Sequence, residues 1–505
     1  MTSFSSIDGF ISHWAKEAPS RAAIVSERSG ETISYEELDR LIDHLCRTYE
    51  GKVAPQSICT IYLDDSIVCH AMLHAGFRLG AIVMPLDSAL GELTQLNMLN
   101  HADSDLIFIG ADNPNLGFVL GDVKRPVETF ATELAAHCDA LAGGEPFASR
   151  AGLDRTAMIA YTSGTTSNSK GVVLTHRNLI AAYRSATEHM CAPKVVGCVF
   201  RMASLGTLGI HFFYPQYSGG TTVMLPRLTV MNARELWTRH ARHGIDFLYL
   251  VPSLLKMLNH LGVPPAQKPG GIAVCAGSHL PPAHQALFQD KFGIPTRNIY
   301  GLTESSFAVF FGRMLGDRGA NDLGPACSLV ARVVDEHGAD VPDGTMGELW
   351  YSGEMVASGY YRNPEATAQS FRDGWLATGD LVVRDAEGNI TITGRKKDVI
   401  IRGGFNIHPK DIEEAIQIEA GVVNSFVMGA SNDVLSEMVL AFVQLDGAAA
   451  VDEAGVIERV KRRVGAFRAP DRYFFSDVEI PVNAAGKVDR RAILSLFDAA
   501  APASG

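Results

Sequence analysis

The sequence predicts an α/β protein: a large N-terminal domain of stacked α/β subdomains, a small β subdomain after it, and a small α+β C-terminal domain. Three observations carry this reading. Over about the first 300 residues, amphipathic helical segments alternate with short apolar runs, a pattern that implies layered α/β units. After Gly324 the chain turns to short β-rich runs divided by Asp-Gly and Glu-Gly turn signals. After "GRKKD", strands and amphipathic helices mix in a compact pattern.

Taken in order, "ISYEELDRLIDHLCRTYE" is an amphipathic helix, "SICTIYL" a strand, "IVCHAMLHAGFRLG" a helix and "AIVMPL" a strand. The alternation returns with "TTVMLP", the helix "ARELWTRHARHG", then "IDFLYLVP", "LLKMLNHLG", "GIAVCAG" and "AHQALFQDKFG". The β-rich part is "ARVVDEHGADVPDGTMGELWYSG" and "GWLATGDLVVRDAEGNITITGRKKD". In the C-terminal part, "VIIRGG", "VNSFVMGA", "MVLAFVQL" and "RYFFSDVEI" read as strands, and "HPKDIEEAI" and "EAGVIERVKRRVGA" as helices. A domain boundary near Lys397 separates residues 1–396 from residues 397–505. At 505 residues the chain exceeds what one hydrophobic core ordinarily serves, so more than one domain is expected.

Composition narrows the function. A 47% hydrophobic and 20% charged chain is that of a globular protein, and a net charge of -12 disfavours nucleic acid as the main partner. No apolar run approaches the roughly 20 residues needed to span a bilayer, and the start lacks a basic segment followed by an apolar one; a cytoplasmic protein is expected. Eight cysteines occur without a C-x-x-C pair, which indicates neither a zinc site nor a disulfide framework.

The stretch "YTSGTTSNSKG", Tyr161 to Gly171, gathers hydroxyls, glycines and one lysine between two strand-like runs. Backbone N–H groups, hydroxyls and a lysine are what a polyphosphate needs. The Walker A pattern fails, because no second glycine precedes Lys170 and Gly171 stands where Ser or Thr would bind magnesium. On its own the loop is open between a phosphate cradle and a solvated turn.

Four further segments decide it: "NIYGLTESS" (298–306), "GWLATGDL" (374–381), "ITGRKKDVIIRGGFNIHPKDIEEAI" (392–416) and "NAAGKVDRRAIL" (483–494). With the opening loop, their order and spacing resemble the acyl-adenylate-forming superfamily of acyl- and aryl-CoA synthetases, nonribosomal-peptide adenylation domains and luciferases. The similarity covers essentially the whole chain, since "ISYEELDRLIDHL" and "LGAIVMPLD" also look like that family's early segments.

The resemblance implies roles for particular residues. Thr162, Ser163, Gly164, Thr165, Thr166 and Lys170 match the loop that embraces the β- and γ-phosphates of ATP. Gly277 and Ser278 match a small-residue segment beside the nucleotide, and Tyr300 lies against adenine. Thr303 hydrogen-bonds the α-phosphate and Glu304 ligates Mg2+, a hard cation suited to carboxylate oxygen. Asp380 accepts the ribose hydroxyls, Arg395 is a second ribose or phosphate contact, and Lys487 reaches the α-phosphate and the substrate carboxylate. The small C-terminal domain is mobile in this family. It pivots at the position of Lys397 and presents the loop matching "RGGFN", where Gly403 and Gly404 give a pantetheine arm close backbone access.

Two departures from the family pattern stand out. Ser167 and Ser169 replace the loop's usual glycine and proline. At the mouth of the acyl pocket, Ser204, Leu205 and Gly206 include no acid to pair with an α-ammonium, and a buried unpaired ammonium is costly, so a carboxylic acid without an α-amino group is expected. His211 is a further pocket candidate and His279 is either a pocket polar group or a satisfied turn histidine, whereas Phe212 and Phe213 read as an apolar helix stripe.

The implied function is that of an ATP-dependent acid–thiol ligase, forming an acyl-AMP with release of pyrophosphate and then a thioester. CoA is the first choice of thiol, because "GGFNIHPKDIEEAI" is similar to free-standing CoA synthetases. The alternative is a free-standing adenylation enzyme that loads a carrier-protein phosphopantetheine, since "GKVDRRAI" resembles peptide-synthetase domains. A catalytically inactive nucleotide-binding protein and a luciferase-like oxidative activity are the remaining readings.

Overall fold

The computed structural model describes residues 3–162, 170–265, 267–277, 280, 282–314, 322–402, 405–432, 435–447, 451–482 and 488–499. It divides into two compact units, one of residues Met1–Ala331 with Tyr351–Ala377, the other of Arg332–Trp350 with Thr378–Gly505.

Two sheets organise the first unit. One has six strands in the order Val127–Phe130, Leu106–Gly110, Ile58–Leu63, Ile82–Asp87, Thr156–Tyr161, Gly171–Thr175. The other has eight, in the order Ala308–Met314, Thr296–Gly301, Ile272–Cys275, Phe247–Leu250, Val195–Cys198, Thr221–Met224, Ala22–Ser26, Thr32–Ser34. Both are parallel through their centres and carry antiparallel pairs at the edge. Thr156–Tyr161 runs against Gly171–Thr175 in the first; Thr296–Gly301 runs against Ala308–Met314 in the second. The central strands are apolar on both faces, as sheets covered on both sides require; Ile58–Leu63 is buried at every position.

The helix expected from Ile33 instead starts at Tyr35, because Thr32–Ser34 joins the sheet edge. Ser34 then caps the helix, accepting from the Glu37 N–H while Glu37 accepts from the Ser34 N–H, a reciprocal capping box. The helix Ile67–Arg78 is buried along its whole length, including its polar residues. Gln216 bridges two of them, with its amide nitrogen 2.7 Å from His70 Nε2 and its oxygen 3.1 Å from His74 Nε2. His70 Nε2 accepts from that amide and His74 Nε2 donates to the amide oxygen, and burial drives both pKa values down, that of His70 to about 3. Arg78, 2% exposed, is surrounded by Asp8, Asp39 and Asp43.

In the second unit, a five-stranded sheet has Ser436–Leu445 between Val422–Asn432 and both Ile400–Arg402 and the parallel strand Arg472–Ser476; Phe405–Ile407 forms an edge. Strand alternation divides its two cores. Val439, Ala441 and Val443 face the helices Pro409–Gln417 and Glu453–Val464, while Leu440 and Phe442 face Ile493 and Phe497 of the helix Arg490–Ala499. Also in this unit, the part of strand Trp375–Arg384 from Thr378 onward pairs antiparallel with Ile390–Arg395.

Candidate active site

In the first unit the hairpin of Thr156–Tyr161 and Gly171–Thr175 carries the hydroxyl-rich loop. Its neck is closed twice: the Thr162 N–H donates to the Lys170 carbonyl at 3.0 Å, and the Lys170 N–H donates to Thr162 Oγ1 at 3.3 Å. Gly171 opens the return strand because a side chain there would press on Ile159 at 2.8 Å and on the Tyr161 ring at 3.3 Å. Ser163, Gly164, Thr165 and Thr166, with Ser167 and Ser169, lie outside the described residues.

Tyr300 is the penultimate residue of the strand Thr296–Gly301, its ring 5.9 Å from that of Phe310. Gly301 follows, and the chain then makes a tight turn at Thr303–Ser305 before returning as Ala308–Met314. Ser305 Oγ accepts from the Leu302 N–H at 3.0 Å, and Ser306, at φ +67°, donates its hydroxyl to the Met355 carbonyl at 2.8 Å. Thr303 and Glu304 sit on this braced turn, both partly exposed.

A segment that the sequence reading passed over ties the loop's hairpin to the turn. The Ala357 N–H donates to the Glu304 carbonyl at 2.8 Å, the Val173 N–H to the Gly359 carbonyl at 3.0 Å, and the Tyr361 N–H to the Gly171 carbonyl at 2.7 Å. At its centre Tyr360 donates its hydroxyl to Glu304 Oε1 at 2.7 Å, and Lys170 Nζ lies 4.6 Å from the centre of its ring. Burial, reinforced by the Glu304 carboxylate, raises the Tyr360 phenol well above its ordinary pKa, so it is a donor throughout the physiological range. Its signal in the sequence was a Gly-Tyr pair in a turn-rich stretch, which periodicity does not distinguish from a surface loop.

Gly277 follows the strand Ile272–Cys275 at φ +96°, a conformation that favours glycine. Its partner Ser278, and His279, lie outside the described residues. Ser204 caps the short helix Leu205–Leu208, its hydroxyl accepting from the Thr207 N–H; Gly206 lies inside that helix and Leu205 is buried. The acids touching this segment are already paired: Asp65 accepts from the Met202 N–H at 2.9 Å and pairs with Arg28 and Arg227, and Asp87 pairs with Arg201 at 3.2 Å. His211 is fully buried in a π-helical turn, Gly209–Phe213, a widened turn that often marks functional sites. Its Nδ1 lies 2.9 Å from the Thr207 carbonyl, and its ring sits between Phe200 and Tyr249 at 5.6 and 5.5 Å. Burial lowers its pKa to about 4, so it is neutral at pH 7. Phe212 and Phe213 are core residues, Phe212 stacking on His70 at 4.6 Å.

In the second unit Asp380 is not a solvated turn residue. It lies 2% exposed on the strand Trp375–Arg384, opposite Arg395, whose Nε is 2.7 Å from Asp380 Oδ1. Gly379, at φ +72°, donates its N–H to Glu348 Oε1 at 3.0 Å, and the Asp380 N–H donates to Thr378 Oγ1 at 3.0 Å. Lys397 is exposed in the turn Lys396–Asp398 between the strands Ile390–Arg395 and Ile400–Arg402. Gly403, Gly404 and Lys487 lie outside the described residues.

The donor set suits magnesium. Glu304 offers a partly exposed carboxylate with one oxygen held by a phenol, and no cluster of three or more His, Cys, Asp or Glu side chains occurs among the described residues. Such a carboxylate fits a hard cation, which takes oxygen ligands.

The AMP-binding enzyme family matches residues 11–361, and the AMP-binding enzyme C-terminal domain matches residues 411–487. The chain is 31% identical to the sulfoacetate–CoA ligase of Cupriavidus necator, over 97% of this chain and 98% of that one. It is 27% identical to the indoleacetate–CoA ligase of Aromatoleum aromaticum, over 90% and 91%. Among solved structures, ATP-bound MatB from Rhodopseudomonas palustris superposes with a TM-score of 0.86 at 27% identity, covering 97% and 99% of the two chains. The chain belongs to the AMP-binding enzyme family, within the acyl-adenylate-forming superfamily. It is an AMP-forming, acyl-CoA synthetase-like ligase. Among the described residues no helix is long and apolar enough to cross a membrane.

Proposed function

We propose that this protein activates a small carboxylic acid lacking an α-amino group and transfers it to CoA. In the first step a carboxylate oxygen attacks the α-phosphorus of ATP and the bond to the β-phosphate breaks, giving acyl-AMP and pyrophosphate. In the second, the CoA thiolate attacks the acyl carbon and AMP leaves.

One observation supports the first step above the rest: the segment Ala357–Tyr361 fastens the hairpin of the hydroxyl-rich loop and the Thr303–Glu304 turn to each other. Groups suited to phosphate oxygens and a carboxylate suited to a hard cation are thereby held on one rigid frame, which is what in-line phosphoryl chemistry asks of a protein. In this reading Thr162 and Lys170, with the loop between them, bind the β- and γ-phosphates. Thr303 meets the α-phosphate, Glu304 holds Mg2+, Tyr300 lies against adenine, Asp380 and Arg395 take the ribose, and Lys487 offsets the repulsion between the two reacting anions. When bound, magnesium supplies charge neutralisation at the triphosphate. Residues from Lys397 onward pivot between the two steps.

Support for the acid's class comes from the acyl-pocket segment, where Asp65 and Asp87 are already paired with arginines and Ser204 is spent as a helix cap. Support for CoA over a carrier protein comes from the relatives, which are themselves CoA ligases of sulfoacetate and indoleacetate. ATP–pyrophosphate exchange over short, aryl, fatty, sulfonated, β-amino and α-amino acids, followed by thioester detection with CoA and with holo-carrier proteins, tests both parts. Exchange confined to α-amino acids overturns the substrate class, and thioester formed only on a carrier protein overturns the acceptor.

A further inference from the structure

We propose that Tyr360 is a positioning residue for adenylation, its hydroxyl aligning the Glu304 carboxylate toward the metal–triphosphate while its ring seats the Lys170 ammonium beside it. This rests on the reading above in which Glu304 is the metal ligand and Lys170 a phosphate contact.

Both halves of the contact are geometric. The phenol donates to Oε1 of Glu304 at 2.7 Å, a length typical of a hydroxyl on a carboxylate, so the carboxylate is pinned by one oxygen, and in this reading a cation would take the other. Lys170 Nζ stands 4.6 Å from the ring centre, inside the distance at which an ammonium is held by the negative face of an aromatic ring. A single side chain therefore addresses the two charged groups assigned to the triphosphate, and it does so from a different part of the chain than either.

Tyr360 is itself fixed before any ligand arrives. Its backbone N–H donates to Thr367 Oγ1 at 2.9 Å, and that hydroxyl donates to the Asn363 carbonyl at 2.8 Å, at the start of the helix Pro364–Ser370. Its backbone also bridges Val172 of the hairpin, and its ring packs edge-on against Phe371 at 5.4 Å. The preceding Gly359, at φ +154°, lies so close to Thr367 that a side chain would come within 2.6 Å of it. The support is rigid, as a residue that orients a metal ligand needs to be. The competing explanation is that the hydroxyl merely satisfies itself on the nearest acceptor. Phenylalanine separates the two, because it keeps the ring over which Lys170 sits and removes only the donor.

The test compares Tyr360→Phe, Tyr360→Leu and Glu304→Gln with the parent enzyme. ATP binding is measured by calorimetry across a Mg2+ series and without Mg2+, alongside the Mg2+ dependence of pyrophosphate exchange. Outer partners of metal ligands are typically worth about 10- to 100-fold in metal affinity, so Y360F is expected to raise the half-saturating Mg2+ by about tenfold. Its ATP binding without Mg2+ stays unchanged, and exchange recovers at high Mg2+. Y360L is expected to weaken Mg2+-free ATP binding as well, because Lys170 loses its seat. A Y360F enzyme with the parent's Mg2+ dependence, beside an E304Q enzyme whose dependence has shifted, overturns the positioning role alone. If E304Q also leaves the Mg2+ dependence unmoved, the assignment of Glu304 as metal ligand falls, and the inference with it.

Discussion

Gly301 sits between Tyr300 and Thr303 without needing a positive φ; what it needs is room. A Cβ at this position would stand 2.2 Å from the Phe307 carbonyl oxygen and 2.7 Å from Ala308 Cα, both backbone atoms that no side-chain rotation can move away. Gly301→Ala must therefore push the strand Ala308–Met314 off by about 1 Å to restore ordinary van der Waals contact, a strain that overpacking series place at about 1–3 kcal/mol. The turn bearing Thr303 and Glu304 is the link between the two strands and moves with them. Misplacement of reacting groups by about 1 Å costs on the order of 100-fold in rate, so pyrophosphate exchange should fall by roughly that factor at saturating ATP. The assay pairs exchange with denaturant unfolding. Gly117→Ala serves as the control: its Cβ meets nothing within 4 Å in the helix Leu116–Asp122, so it should leave exchange unchanged. Gly301→Ala with parental stability and parental exchange would refute the reasoning, since it would mean the hairpin accommodates the methyl without moving the turn.

Three further outcomes are expected. The buried histidines His70, His74, His176 and His211 have pKa values lowered by burial, to about 3 for His70 and about 4 for His176 and His211. The unfolded chain takes up protons at each as pH falls below about 6.5 while the folded chain does not, so His70, His176 and His211 each cost about 1.6 kcal/mol of stability between pH 6.5 and 5. Urea unfolding should show stability falling from near pH 6.5, well above the carboxylate range; a flat profile down to pH 5 contradicts this. Arg78→Ala leaves Asp8 and Asp43 buried beside an empty site and should cost at least about 3 kcal/mol in the same assay, whereas a loss under 1 kcal/mol would show that water enters and compensates. Lys487→Ala should slow acyl-AMP formation severely while leaving thioester formation from supplied acyl-AMP largely intact, measured in single-turnover reactions. Equal loss of both steps counts against alternation of the C-terminal residues between them.

Local structure was largely legible in the chain. The spacing of Leu38, Leu41, Ile42 and Leu45 marks one helix face, and that helix forms; only its start moved, because Thr32–Ser34 found a sheet edge that no local pattern announces. The alternation in "MVLAFVQL" divides the strand's residues between two cores as a period of two requires. The candidate site was legible through motifs rather than periodicity: Tyr300 lies on the strand that leads into the braced turn of Thr303 and Glu304, and Thr162 and Lys170 close one loop neck. Asp380 was harder to read, since a residue after Gly379 looks like a solvated turn until its strand partner Arg395 is known. Tyr360 was missed, because its meaning lies wholly in what its hydroxyl and ring touch.

The sequence by itself determined the layered α/β class, the positions of most helices and strands, and the family to which the loop, turn and strand motifs belong. These depend on residues a few places apart, or on short patterns read in order. Only the tertiary structure decided which strands are neighbours, how Ala357–Tyr361 joins the loop's hairpin to the Glu304 turn, and that the Asp380 carboxylate is buried against an arginine. Such contacts join residues far apart in the chain. Their energies depend on the folded geometry that brings the partners within hydrogen-bond distance, and no local run of sequence encodes that distance.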